Sequence, residues 1–214
     1  MDKAEQLKEI AAQVSGCTRC GLHAGRKLAV PGEGPAEVDL MFIGEGPGFH
    51  ENEQGRPFVG QAGKLLSELL RKNGLEREKV FITNVVKCRP PGNRDPQPDE
   101  LLACAHYLDR QIEILNPKVI ITLGRYSMYK FFPNARISSI HGQASRVGGR
   151  LVVAMYHPAA ALHQPSLMPE LEKDFSYLPK WVEQASRSDR IEGGQSQATP
   201  PAAESQQPPE QDPG

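Results

Sequence analysis

The chain reads as a three-layer α/β/α fold. It predicts a central four-stranded, mainly parallel sheet and a disordered C-terminal tail. Three observations carry this. Four short runs rich in β-branched residues are apolar almost throughout, as strands covered on both faces are. Helical patterns of apolar residues separate them, which is the signature of parallel strands joined by crossover helices. The last 22 residues, 193–214, contain no Leu, Ile, Val, Met or aromatic residue.

Each element has its own signal. The first helix is expected from Lys3 to Val14, with Leu7, Ile10, Ala11 and Val14 on one face. Val38–Ile43 is the first strand. A helix over Ala62–Lys72 gathers Leu65, Leu66, Leu69 and Leu70, and Gly74 supplies its stop. Val80–Val85 is the second strand. Pro98, Asp99 and Glu100 open a helix running to Leu115 with the residues a first turn favours. Val119–Leu123 is the third strand, followed by a helix over Gly124–Phe132 that Pro133 ends. Leu151–Met155 is the fourth strand. A last helix over Leu167–Gln184 carries Trp181, the only tryptophan.

Composition sets the outer bounds. In residues 193–214, Gly, Pro, Gln and Ser fill fifteen of 22 positions, and such a stretch cannot bury enough apolar surface to offset its ordering entropy. One globular domain over residues 1–186 and a Pro/Gln/Gly-rich tail over 187–214 are therefore expected. Residues 183–214 hold two basic and six acidic residues, a charge of −4, and the 182 residues before them carry +3. A mildly basic body permits a phosphate-binding face without requiring one. No apolar run reaches membrane-spanning length, and the start MDKAEQLKEI is charged and amphipathic, unlike a signal peptide. These features predict a cytoplasmic chain, not secreted and with no membrane partner, and they exclude a fibrous protein or a secreted disulfide scaffold; a monomer is expected.

In parallel α/β sheets, ligands sit beyond the carboxyl ends of the strands. Polar and glycine-rich residues converge there. Gly44-Glu45-Gly46-Pro47-Gly48 follows the first strand, and Thr83-Asn84-Val85 closes the second. Gly124-Arg125 follows the third strand, and Tyr156-His157-Pro158 the fourth. The four cysteines form a separate pattern: Cys17 and Cys20 two residues apart after the first helix, Cys88 after the second strand, and Cys104 on the next helix. In a reducing compartment, two structural disulfides are not expected. Four thiolates at one centre suit zinc or a [4Fe–4S] cluster. Spacing alone leans to zinc, and a redox CxxC leaves two cysteines unexplained.

Gly44–Gly48, Gly55-Arg56-Pro57-Phe58-Val59-Gly60, Thr83–Pro91 and His157–Leu162, together with the four cysteines, resemble family 4 uracil-DNA glycosylases. These are the iron–sulfur members of the uracil-DNA glycosylase superfamily. The resemblance runs from Cys17 to about Trp181, in order and with matching gaps. It implies one [4Fe–4S] cluster on Cys17, Cys20, Cys88 and Cys104. It also implies hydrolysis of the bond between uracil and deoxyribose in single- or double-stranded DNA, leaving an abasic site. Phe58 is then expected to stack on the extruded uracil and Asn84 to pair with its N3–H and O4. His157 is expected to donate to O2 as charge builds there. Glu45, Gly46 and Pro47 form the loop over the base. Glu45 is the candidate for ordering water, Glu51 for crowding out the thymine methyl, and Leu162 for a wedge filling the vacated stack.

No lysine is placed as a Schiff-base nucleophile, so strand cleavage is not expected. The basic insertion of covalently trapping relatives is absent between Glu51 and Arg56. Lys87, Arg89, Arg94, Arg136, Arg146 and Arg150 are candidates for phosphate contacts, and Arg136–Arg150 for a loop pinching the DNA backbone. The competing reading is a non-catalytic nucleic-acid-binding protein with a structural or redox-sensing metal. A small-molecule electron carrier is a third.

Overall fold

A computed structural model describes residues 1–195. Its elements in chain order are α1 (Lys3–Ser15), β1 (Leu40–Gly44), α2 (Phe49–Gln54), α3 (Gln61–Lys72), β2 (Phe81–Asn84) and α4 (Pro98–Leu115). Then come β3 (Val119–Leu123), α5 (Arg125–Tyr129), α6 (Ile137–Ile140), β4 (Ala144–Val147), β5 (Arg150–Met155), α7 (Pro158–His163), α8 (Met168–Ser176) and α9 (Leu178–Gln195).

The sheet order is β2-β1-β3-β5-β4. β1 lies parallel to β2 and β3, and β3 lies parallel to β5, in agreement with the near-continuous apolar runs. Alternate residues of each strand serve opposite layers. Phe42, Ile121 and Val153 pack with Leu66, Leu70, Phe175, Leu178 and Trp181 of α3, α8 and α9. Met41, Ile43, Ile120 and Val152 pack with Leu108, Ile112 and Leu115 of α4. α1 seats Ile10 and Val14 against Tyr107, Cys88 and Cys104 in a third cluster.

The observed elements differ from the expected ones at several points. The sheet has five strands, not four. β4 pairs antiparallel with β5 at the sheet edge, and its ASRV sequence has no apolar run because Ser145 and Arg146 are exposed. Gly148 and Gly149 both have positive φ (56° and 81°) and form the two-residue turn between them. That Gly-Gly pair was a legible hairpin signal. The Arg136–Arg150 stretch is accordingly α6 and β4, not one loop. The helix expected over Gly124–Phe132 is the shorter α5. The single last helix is two, α8 and α9, separated at Tyr177. α9 runs to Gln195, past the expected boundary at 187, and the rest of the predicted tail lies outside the described residues. Among the described residues, no helix is long and apolar enough to cross a membrane.

Candidate active site

The carboxyl ends of β1, β2 and β5 open into one cavity of about 400 Å³. Glu45, Gly46, Pro47, Glu51, Phe58, Asn84 and His157 all line it. These segments are distant in sequence and adjacent only because β1 sits beside β2 and is linked to β5 through β3.

Asn84 ends β2 and is 2% exposed. Its side-chain oxygen is buried and has no hydrogen-bond partner within the protein. A buried, unsatisfied acceptor costs about 1–3 kcal/mol, so it marks a place for a donor. His157 caps the N-terminus of α7, where its Nδ1 accepts the Ala159 N–H at 3.0 Å. Burial pulls the imidazole down to about 4, so the ring is neutral near pH 7. A neutral ring that accepts at Nδ1 carries its proton on Nε2. His157 is thus a fixed neutral donor in the cavity wall.

Phe58 stacks on His157 with centroids 5.4 Å apart and planes 22° from parallel. Its φ is +52°, unusual for a bulky residue. Packing and a polar clamp hold it there. Arg77 donates to the Phe58 carbonyl at 2.9 Å and to the Pro57 carbonyl at 2.6 Å, and pairs with Glu33 at 3.0 Å. Gly63 lets α3 approach, since a Cβ there would fall 1.8 Å from the Phe58 carbonyl oxygen. Gly44 is constrained from the other side. A Cβ on it would lie 2.4 Å from Asn84 Oδ1 and 2.6 Å from the Phe58 ring.

The two acidic candidates are both engaged with backbone. Glu45 accepts the Tyr126 N–H at 3.1 Å, across the start of α5. Burial raises its carboxyl above the ordinary range, and that hydrogen bond works the other way. Glu51 is a clasp. One oxygen accepts from Val59 N at 2.8 Å and Gly60 N at 2.9 Å, and the other from Gly48 N at 3.1 Å. It thereby ties the loop after β1 to the loop carrying Phe58. Leu162 does not line the cavity. It is 44% exposed on α7, two residues after the cavity-lining Ala160, and is not a core leucine.

A family model described as the uracil DNA glycosylase superfamily matches residues 31–183. A type-4 uracil-DNA glycosylase of Sulfurisphaera tokodaii is 48% identical over 190 residues, covering 83% of this chain and 84% of the relative. One from Saccharolobus solfataricus is 50% identical over 185 residues, covering 80% and 84%. One from Thermotoga maritima is 44% identical over 186 residues, covering 82% and 97%. The chain belongs to the type-4 branch of the uracil-DNA glycosylase superfamily.

In this superfamily member, the cysteines converge as expected. Cys17, Cys20, Cys88 and Cys104 line one cavity, and all are free thiols. Arg26 donates to Cys88 Sγ at 3.2 Å and to the Cys17 carbonyl at 2.7 Å. Burial pushes the Cys104 thiol up to about 11 and raises that of Cys88. Thiolates here therefore call for a positive partner. Among the described residues, no three His, Cys, Asp or Glu side chains converge on a single-ion site. Four free thiols lining one cavity are a donor set that both zinc and a [4Fe–4S] cluster accept.

The basic candidates separate. Lys87 is not a phosphate contact: it is 1% exposed, and its ammonium donates to Thr83 Oγ1 at 2.5 Å, Gln111 Oε1 at 2.7 Å and the Asn84 carbonyl at 2.9 Å. It thereby holds the backbone of Asn84. Arg94 is held by Glu100 at 2.9 and 2.6 Å. Arg146 and Arg150 sit at the amino end of β5, the wrong end of the sheet. Arg89 remains beside the cavity, next to Pro90. Sequence reading missed the Glu33–Arg77 clamp, because 44 positions separate its members. It also missed Asp95, which lines the cavity and pairs with Arg125. Asp95 lies in the polar Asn93-Arg94-Asp95 run, the one local hint available.

Proposed function

We propose that the chain is a monofunctional uracil-DNA glycosylase, a hydrolase of DNA repair that holds an extruded uracil and cuts its bond to deoxyribose. The observation that carries this reading is the pair of opposed polar atoms in one cavity: an unpartnered acceptor on Asn84 and a neutral donor on His157. Uracil presents an N3–H donor and O2 and O4 acceptors, which such a pair matches. Ring stacking on Phe58 completes recognition.

In the reaction, the C1′–N1 bond breaks and its electron pair stays with uracil. The resulting anion places charge on O2. The Nε2–H of His157 is neutral in the ground state and strengthens its bond as that charge grows, which lowers the barrier selectively. Water adds to C1′, its hydroxyl stays on the sugar, and its proton passes in the end to the uracil anion, which leaves as neutral uracil. We assign Glu45 to orient that water, supported by its place at the cavity wall and its raised carboxyl pKa. Glu51, clamped by three backbone donors, is the wall we assign against a C5 methyl, and exposed Leu162 the wedge into the vacated stack.

Cys17, Cys20, Cys88 and Cys104 would hold one [4Fe–4S] cluster. It would supply a cross-link between the turn after α1, the segment after β2 and α4, with a structural role.

The test is direct. The protein is incubated with a single-stranded oligonucleotide carrying one uracil, then treated with alkali. Cleavage at the uracil position only after alkali is expected. An intact strand would leave only the binding-protein reading, and cleavage without alkali would mean a lyase.

A further inference from the structure

The cavity accounts for the uracil but leaves the neighbouring nucleotides unengaged. Two segments of its rim lead outward to one feature. Phe49 directly follows Gly48, and Arg89 directly precedes Pro90; both Gly48 and Pro90 line the cavity. Phe49 is 52% exposed. It belongs to none of the three core clusters, and the buried residue of its short helix is Asn52. The ring therefore contributes little to folding.

A lone exposed phenylalanine needs no explanation. This one is fixed from two sides. The Arg89 guanidinium lies 5.3 Å from its centroid, and the His50 ring meets it edge-on at 5.4 Å with planes at 82°. Arg89 is itself held, since its Nε donates to Asn93 Oδ1 at 2.7 Å. Asn93 has a left-handed backbone (φ 55°) and lines the cavity. An exposed aromatic ring with a guanidinium over one face and the other left for a base, at the lip of a base pocket, has the chemistry of a nucleobase stacking site.

We propose that Phe49, with Arg89, is a platform on which the base adjacent to the uracil, on the same strand, stacks. This rests on the uracil-excision reading above. Stacking on a π-face is tolerant of base identity, so the platform would give affinity for an unstacked strand rather than sequence preference. Arg89 adds positive charge near the phosphate between the two nucleotides.

The experiment is a cycle between protein and substrate. Wild type, Phe49→Ala, Phe49→Leu and Phe49→Trp are compared on single-stranded oligonucleotides with one uracil. The 5′ and then the 3′ neighbouring base is replaced by a tetrahydrofuran abasic unit. Single-turnover excision and anisotropy binding are both read. Loss of one base–aromatic stack is expected to weaken binding about tenfold. Phe49→Ala and Phe49→Leu should show that loss on the complete strand, and Phe49→Trp should restore it. Deleting one neighbouring base should cost the wild type the same factor and cost Phe49→Ala nothing more. Equal losses in wild type and Phe49→Ala on base deletion, or no loss in Phe49→Ala, would overturn the platform. Both of those outcomes leave excision by the wild type intact. Failure of the wild type to excise uracil from any strand would instead overturn the glycosylase reading on which the platform rests.

Discussion

His157 shows how one residue is tuned by its neighbours. A histidine in water is half protonated near pH 6.5. Here burial removes the charge, and the Ala159 N–H selects the tautomer. His157→Ala is expected to lower the single-turnover rate about 10²–10³-fold with a small effect on DNA binding, as for loss of one oxyanion donor. The ratio of wild-type to variant rates should stay flat from pH 6 to pH 8, because the ring is already neutral. A ratio that bends near pH 6.5 would mean the imidazole titrates there. The same ring has a stability consequence. Its folded pKa is below its unfolded value, so the unfolded chain binds more protons between them. Its contribution to stability is complete above about pH 6.5 and falls as pH drops toward 4. Asn84 makes the complementary argument for the base. Cytosine exchanges donor for acceptor at both N3 and C4, and each mismatched group in a dry pocket costs about 1–3 kcal/mol. Asn84→Asp is expected to lose most uracil excision and gain slow cytosine excision, checked on matched oligonucleotides. Unchanged uracil excision would remove Asn84 from base reading.

At the scale of elements, the site depends on how closely backbone segments approach. β1 ends in Gly44 because Asn84 and Phe58 converge over its Cα. Gly44→Ala is expected to displace both side chains, lowering excision by about 10²-fold or more and stability by about 1–3 kcal/mol. Denaturant melts and single-turnover rates together check this. A variant with normal rate would show that the pocket relaxes around the methyl. Lys87 shows a different coupling. Its ammonium satisfies the Asn84 carbonyl, while its own backbone leads into Cys88, so the segment after β2 joins Asn84 to the four cysteines. A surface reading of that lysine from its charge fails because three oxygen acceptors inside the fold take its ammonium, although burial pulls its pKa down to about 8.

For the whole molecule, the four cysteines bring three segments to one cavity: the turn after α1, the segment after β2, and α4. Cys88→Ser is expected to abolish stoichiometric iron and sulfide and the yellow-brown absorbance. It should also lower Tm by about 5 °C or more. A colourless, active wild-type protein with one equivalent of zinc would contradict the cluster. The composition of residues 193–214 leads to the opposite expectation. Removing them should leave Tm and excision unchanged, since they hold no large apolar residue to pack. A large fall in Tm on truncation would show that they pack on the body.

The parallel strands were legible in the sequence because strands buried on both faces must be apolar along their length, as VIITL is at β3 and LVVAM within β5. The edge strand β4 was not, because only half of an edge strand's surface meets the core, and ASRV has no pattern to read. Glu45, Asn84 and His157 were legible as candidates at strand ends and Phe58 through the family resemblance, and the fold brings all four to one cavity. Their chemistry was not legible. The neutral state of His157, the unpartnered oxygen of Asn84, the clasp made by Glu51 and the burial of Lys87 each depend on atoms brought from elsewhere in the chain. Local sequence determines which backbone a segment prefers and which face it buries. A proton's position or a carboxylate's partners depend on distances of about 3 Å between residues far apart in sequence, and only the packed sheet and its loops set those distances.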